Sequence, residues 1–231
     1  MKSILVYGDS LVWGRNASQK DRHSFEDRWP NVIASSLKDV TVWEAGLGGR
    51  TTDLEFAGCP GRNGLKHIPV ALLQAAPLDL VILALGTNDT FAEPSRKPQD
   101  TVNAMRALIT ATRDLPTAPG SSVPNTSPPK VMIVSPPNCL PLHLVTGEGF
   151  PELDDLTRWL PELAKLYEQL AIEQQTYFAD AANFCEPDPV DGLHLDVENT
   201  RKLGVGIAKA LVLAGFADFH GRQTNLDQAW R

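Results

Sequence analysis

A parallel α/β three-layer sandwich is the fold class this chain predicts, and two observations predict it. Five short apolar runs rich in Val, Ile and Leu recur along the sequence, and stretches with helical apolar spacing lie between them. The runs mostly lack the two-residue alternation of a half-solvated strand, as expected where both faces of each strand are covered. Strand and helix in alternation give a five-stranded parallel sheet with helices on both faces, within a single domain.

The elements follow in order. Ile4–Tyr7 forms the first strand and ends at Gly8-Asp9. Trp29 to Leu37 reads as a short helix, with Pro30 in the first turn, where a missing N–H costs nothing. Val40–Glu44 is the second strand, Pro69 to Ala75 a helix, and Leu78–Leu85 the third strand. Pro98 to Leu115 carries Val102, Met105, Leu108 and Ile109 on one helical face. Pro116 to Pro129 holds five prolines among Gly, Ser, Thr and Asn, and reads as an irregular surface loop. Val131–Ser135 is the fourth strand. Leu153 to Gln174 is a long helix with Leu156, Leu160, Leu163 and Leu170 in register, and Thr176–Ala179 is a weaker fifth strand. Arg201 to Leu213 closes the domain with Leu203, Ile207 and Leu211. Residues 1–214 are read as the domain; residues 215–231, with Phe216, Phe219 and Trp230, are read as a tail suited to a subunit interface, which predicts a homo-oligomer.

Composition narrows the function. Of 231 residues, 42% are hydrophobic and 21% charged, enough for one sizeable core. The 21 basic and 28 acidic residues give a formal charge of −7, and no Lys/Arg run overrides it, which argues against a nucleic-acid partner. Cys59, Cys139 and Cys185 are odd in number and form no Cys-x-x-Cys pair. No disulfide framework or metal site is expected, and a cytoplasmic location follows. The apolar run before Gly8 is too short for a signal peptide, and no stretch approaches a membrane span.

In a doubly wound sheet, ligands bind beyond the carboxyl ends of the strands. Gly8-Asp9-Ser10-Leu11 follows the first strand, and Ala45-Gly46-Leu47-Gly48-Gly49-Arg50-Thr51-Thr52 the second. Gly86-Thr87-Asn88-Asp89 follows the third, Pro136-Pro137-Asn138 the fourth, and the segment leading to Asp191-Gly192-Leu193-His194 the fifth. Acyl-transfer chemistry assigns roles to them. Ser10 needs a base to become a nucleophile, His194 can serve, and Asp191 can accept from the imidazole and fix its tautomer. Gly49, Asn88 and the Ser10 amide are candidate oxyanion donors. No cofactor is required.

Taken singly, these blocks have plainer readings. Gly8-Asp9-Ser10 is also a turn or cap, and Asn88-Asp89 a helix cap. Gly46-x-Gly48-Gly49 lacks the third glycine of a dinucleotide fingerprint, and Gly-x-Ser-x-Gly is absent, which excludes the usual α/β-hydrolase layout. His23, His67 and His220 read as structural or exposed, and His143, after the fourth strand, as a residue that can edge a pocket.

Together, Ser10, Gly49, Asn88 and His194 in their local contexts resemble the GDSL or SGNH hydrolases, over nearly the full chain. The segment order is similar to the bacterial arylesterase/acyltransferase branch, some members of which also perform perhydrolysis. The resemblance implies a flavodoxin-like sheet, a shallow serine site, no metal, and a serine esterase acting on short-chain acyl or aryl esters through an acyl-enzyme. Substrate contact is expected from Leu11, Trp13, Thr90, Pro137 and Leu193. Arg15 stands where that branch carries an aromatic residue, and Phe91 where it tends to carry a lysine. A carbohydrate O-deacetylase is the rival within the family, with Arg15, Arg50 and Asp53 as polar groups for a sugar. A catalytically silent binding module is the rival outside it.

Overall fold

The computed structural model describes residues 1–19, 21–114 and 127–220. Five parallel strands, β1 (Lys2–Gly8), β2 (Val40–Gly46), β3 (Leu80–Ala84), β4 (Lys130–Ser135) and β5 (Tyr177–Asp180), form one sheet in the order β2-β1-β3-β4-β5. The helices are α1 (Ser10–Trp13), α2 (Trp29–Ser36), α3 (Gly64–Ala75), α4 (Asp89–Ala92), α5 (Pro98–Asp114), α6 (Leu153–Gln174) and α7 (Val197–Leu213). The predicted sandwich is the one observed.

Both faces of each central strand are apolar because both are covered. Ile4, Val6, Leu80 and Ile82 pack with Trp29 and Ile33 of α2 and Leu203, Ile207 and Leu211 of α7. Leu5, Tyr7, Val81 and Leu83 face the other way, onto Ile68 and Leu72 of α3, Met105 and Leu108 of α5, and Leu163 and Tyr167 of α6. A third, smaller cluster joins Cys139 and Leu193 to Leu153, Leu156 and Leu160 at the start of α6. It anchors the loops beside the carboxyl edge of the sheet. From β1 the chain crosses to β2 on one side and returns to β3 on the other, so β1 and β3 flank the topological switch point. Their ends, Gly8 and Ala84, lie in register.

Two helices begin earlier than their apolar pattern predicts, because polar caps set their starts. Asn63 caps α3, its side chain accepting from Lys66 N–H at 3.0 Å, and Pro69 lies inside the helix. The first N–H groups of α3 donate outward, Gly64 to Thr51 C=O (3.1 Å) and Leu65 to Thr52 C=O (2.7 Å). Pro69 therefore forgoes one ladder bond in a helix already held by the fully buried Ile68 and Leu72. Asp196 caps α7, accepting from Asn199 N–H at 2.7 Å.

The start of the predicted tail belongs to the chain's own core. Phe216 is buried, Lys2 Nζ donates to its carbonyl and lies 4.5 Å from its ring centroid, and His220 N–H donates to Ser36 C=O. The remainder of the tail, including Trp230, and most of the proline-rich loop lie outside the described residues. Cys139 and Cys185 are buried free thiols and Cys59 a half-buried one.

Candidate active site

Ser10 is the first residue of α1, separated from the end of β1 by Asp9 alone. Asp9 caps this short helix, its Oδ1 accepting from Leu11 N–H at 3.0 Å, and Trp13 N–H closes the turn onto Asp9 C=O at 2.9 Å. The turn lies directly on the end of β2. A Cβ at Gly46 would stand 2.1 Å from Trp13 N and 2.6 Å from Trp13 Cα, so only glycine admits this approach. Gly46→Ala is expected to displace α1 and cost at least about 3 kcal/mol of stability, together with most activity. Urea unfolding and an ester assay on the same preparation check both effects.

His194 comes from the loop between β5 and α7. Asp191 Oδ1 accepts from the backbone N–H groups of Leu193 (3.0 Å) and His194 (2.9 Å). Asp191 Oδ2 lies 2.7 Å from His194 Nδ1, and His194 Nε2 lies 3.0 Å from Ser10 Oγ. An ionised carboxylate only accepts, so Nδ1 carries the proton and Nε2 presents its lone pair to the serine hydroxyl. Burial opposes ionisation of Asp191, but the hydrogen bond and charge of His194 and the two backbone donors outweigh it and hold the carboxyl below its ordinary range. A hydroxyl, imidazole and carboxylate drawn from opposite ends of the chain thus form one continuous relay.

Asn88 follows β3 and is buried. Its Nδ2 donates to Arg50 C=O at 3.1 Å and to Asp9 Oδ2 at 3.3 Å. Asp9 is buried, and burial pushes its carboxyl up to about 6, with Leu11 N–H and the charges of His194 and Arg50 working against the rise. A carboxyl raised in the fold stabilises the protein below its unfolded pKa of about 4, and that contribution is lost as pH rises through about 6. Asp9→Asn removes this dependence. Relative to wild type, its unfolding free energy is expected to improve by about 3 kcal/mol between pH 4 and pH 8, measured by urea titration at both.

Two further groups brace this edge. Arg50 donates from Nη1 to Gly8 C=O (2.7 Å) and to Ala45 C=O, and its guanidinium stacks 4.2 Å from the Tyr7 ring centroid. It thereby ties the ends of β1 and β2 together. Asp89 is fully buried and accepts from Thr52 N–H (2.8 Å), Thr52 Oγ1 (2.5 Å) and Thr101 Oγ1 (2.7 Å), with Arg96 Nε at 3.7 Å. Asp89→Ala strands those donors and is expected to cost about 3–5 kcal/mol in urea unfolding.

Ser10, Asn88 and His194 open onto a cavity of about 540 Å³. Its walls are largely apolar and aromatic: Trp13, Leu47, Phe56, Phe91, Phe150 and Leu193. Gly48 and Gly49 form part of the rim, with Gly49 at φ +76°, and Arg15 and Arg62 are its charged members. The Phe150 ring lies edge-on to His194, centroids 6.1 Å apart, with Phe91 packed on it at 5.5 Å.

Of the five residues expected to touch substrate, Trp13 and Leu193 line this cavity. Leu11 and Pro137 line a narrow recess beside Ser10 and His194 instead, and Thr90 faces a separate hollow toward α6. The polar set expected for a sugar is mostly engaged elsewhere. Arg50 is turned into the sheet, Asp53 accepts from Arg96 at 2.5 Å, and only Arg15 borders the cavity. His143 is exposed and does not line it. Phe56, Arg62 and Phe150 were not legible as wall residues, since each sits in an irregular loop; an aromatic amid Gly and polar neighbours was the one signal for Phe56 and Phe150. Among the described residues, no group of three or more His, Cys, Asp or Glu side chains gathers to hold a metal. No helix among them is long and apolar enough to cross a membrane.

A doubly wound parallel sheet with a serine, histidine and aspartate relay at its carboxyl edge defines a serine hydrolase outside the α/β-hydrolase layout. The chain belongs to the GDSL-like Lipase/Acylhydrolase family, whose model matches residues 6–199. It is similar to the native aryl esterase of M. smegmatis, at 34% identity over 92% of this chain and 99% of that one, with a TM-score of 0.81. The inhibitor-bound form of that enzyme gives 35% identity over the same shares, with a TM-score of 0.82. It is also similar to a carbohydrate acetylesterase family member from Sinorhizobium meliloti, at 32% identity over 92% of this chain and 98% of that one, with a TM-score of 0.79. No curated protein is similar enough to the chain to count as a match. Family membership and the assembled relay dispose of the silent binding module: this is a GDSL/SGNH-type serine hydrolase.

Proposed function

We propose that the chain is an esterase for short-chain acyl or aryl esters, working through an acyl-enzyme on Ser10. The observation that carries this reading is the aromatic and apolar wall around the Ser10 hydroxyl, in a cavity of about 540 Å³ that suits a small ester. Ser10 Oγ attacks the ester carbonyl carbon while its proton passes to His194 Nε2. The tetrahedral oxyanion is met by the amides of Ser10 and Gly49 and by Asn88 Nδ2, which gives up its longer contact to Asp9. His194 then protonates the departing alkoxide, the C–O bond breaks, and the acyl group remains on Ser10. Water, deprotonated by His194, releases the acid. An alcohol or peroxide taking the place of water gives acyl transfer or perhydrolysis.

Acetylated carbohydrate is the second reading, supported by the similarity to a carbohydrate acetylesterase family member. The engagement of Arg50 and Asp53 away from the cavity favours the first. A series of p-nitrophenyl esters, acetyl through octanoyl, assayed beside acetylated xylose, decides between them. Turnover greatest on the short p-nitrophenyl esters supports the proposal; turnover of the sugar acetate alone sinks it. Asn88→Ala is expected to lower kcat by about 10²–10³ with KM nearly unchanged, as loss of one oxyanion donor requires. We also propose a homo-oligomer, and a monomer in light scattering of the full chain overturns it.

A further inference from the structure

The charge of the cavity differs from that of the chain. Acidic residues outnumber basic ones 28 to 21 overall, yet the cavity around Ser10 is bordered by two arginines and by no Asp or Glu. Asp9 and Asp191 are buried behind Ser10 and His194 rather than in the wall. Arg15 follows α1 and Arg62 precedes α3, so two separate segments each bring a cation to the same space. Both are half-buried, where a charge interaction is stronger than on an open surface. Arg62 is held by neutral groups, donating from Nε to Gly48 C=O at 2.8 Å and from Nη1 to Pro60 C=O at 2.9 Å. Those bonds fix the guanidinium while leaving its charge uncompensated by either acceptor. An apolar aromatic wall bordered by two arginines, with the Arg62 guanidinium held in place, fits one kind of small molecule well: an apolar or aryl body with a carboxylate.

We propose that the preferred substrate is an ester that itself carries a carboxylate, recognised by Arg62 together with Arg15. This rests on the esterase reading above and names the class of ester. The carboxylate can belong to the acyl part, as in the hemiester of a dicarboxylic acid, or to the alcohol part, as in an acylated hydroxybenzoate. In either case the guanidinium groups bind a group remote from the reacting carbonyl, so their contribution appears as selectivity between substrates. A plainer role for Arg62 is to brace the Gly48–Gly49 rim, and that role is indifferent to substrate charge.

The experiment uses two matched pairs: monophenyl adipate against phenyl hexanoate, and 4-acetoxybenzoate against phenyl acetate. For wild type, kcat/KM is expected to favour the charged member of one pair by about tenfold to a hundredfold, which also identifies the side that carries the charge. That preference is expected to shrink between 10 mM and 500 mM salt, roughly as screening of a partly exposed pair requires. Arg62→Gln and Arg15→Gln are each expected to lower the charged-to-neutral ratio, whatever they do to the absolute rates, and Arg62→Lys to retain most of it. A ratio at or below one in both pairs, with neutral esters still turned over, overturns the proposal and leaves the esterase reading standing. A ratio that Arg62→Gln and Arg15→Gln leave unchanged overturns it too, and assigns Arg62 to bracing alone. If no ester is hydrolysed, the esterase reading fails, and calorimetric titration of Ser10→Ala with the same four compounds decides the remainder. Tighter binding of a charged member then supports an anion-reading cavity, and equal binding removes it.

Discussion

Ser10→Ala and His194→Ala are each expected to lower kcat by a factor on the order of 10⁶, and the double substitution is expected to cost scarcely more. The reason is geometric. Ser10 Oγ and His194 Nε2 are 3.0 Å apart and, in the proposed mechanism, act on one proton, so removing either is expected to end the same step. What survives is the stabilisation supplied by the oxyanion donors and by binding, about 10³–10⁴ over water. KM is expected to change little, because neither side chain is a large part of the apolar wall. Stopped-flow hydrolysis of p-nitrophenyl acetate gives kcat and KM. Mass spectrometry after exposure to an organophosphate gives an independent readout, with a stoichiometric adduct on Ser10 in wild type and none in Ser10→Ala. Retention of more than about a tenth of wild-type kcat by Ser10→Ala would remove Ser10 from the role of nucleophile.

The fold and the relay were legible in the sequence for one physical reason. Strands covered on both faces read as apolar runs, and a parallel sheet places every segment that follows a strand on one edge. Ser10, Gly49, Asn88 and His194 could therefore be grouped without knowing a single distance. What periodicity could not supply was the starts of α3 and α7. Those are set by Asn63 and Asp196, whose side chains bond backbone N–H groups three residues on, a local signal independent of apolar spacing. The cavity wall was harder still. Phe56 and Phe150 come from irregular loops, and the positions of such residues depend on long-range packing, here the cluster of Cys139, Leu153, Leu156 and Leu160 beneath Phe150. Leu11 follows Ser10 directly, but the helical turn of α1 rotates it about 100° from its neighbour and into the recess beside Pro137. Arg50 shows the same limit for a charged residue. An arginine beside a glycine-rich rim looks available for substrate, and the fold instead spends it on the carbonyls of Gly8 and Ala45.

Asp191→Asn is expected to lower kcat by about 10⁴ while leaving the fold intact, and the two oxygens of Asp191 explain why. Oδ1 takes the backbone N–H groups of Leu193 and His194, a demand an asparagine carbonyl oxygen meets equally well. With that oxygen fixed, the asparagine Nδ2 replaces Oδ2 at 2.7 Å from His194 Nδ1 and presents a proton to it. Nδ1 must then be the unprotonated nitrogen, so the imidazole carries its proton on Nε2, facing Ser10. A base protonated at the atom that should accept cannot take the serine proton. Stability gives a separate signature of the lost charge. The Asp191 carboxyl lies below its ordinary range in the fold, so its contribution is present above the unfolded pKa of about 4 and disappears as pH falls through the folded value. Asp191→Asn is therefore expected to be less stable than wild type at pH 7 and to converge with it in strong acid. Urea unfolding at pH 7 and at pH 3, beside kcat at pH 7, measures both consequences. A variant with wild-type kcat, or with a stability deficit that widens toward pH 3, contradicts the placement of an ionised Asp191 behind His194.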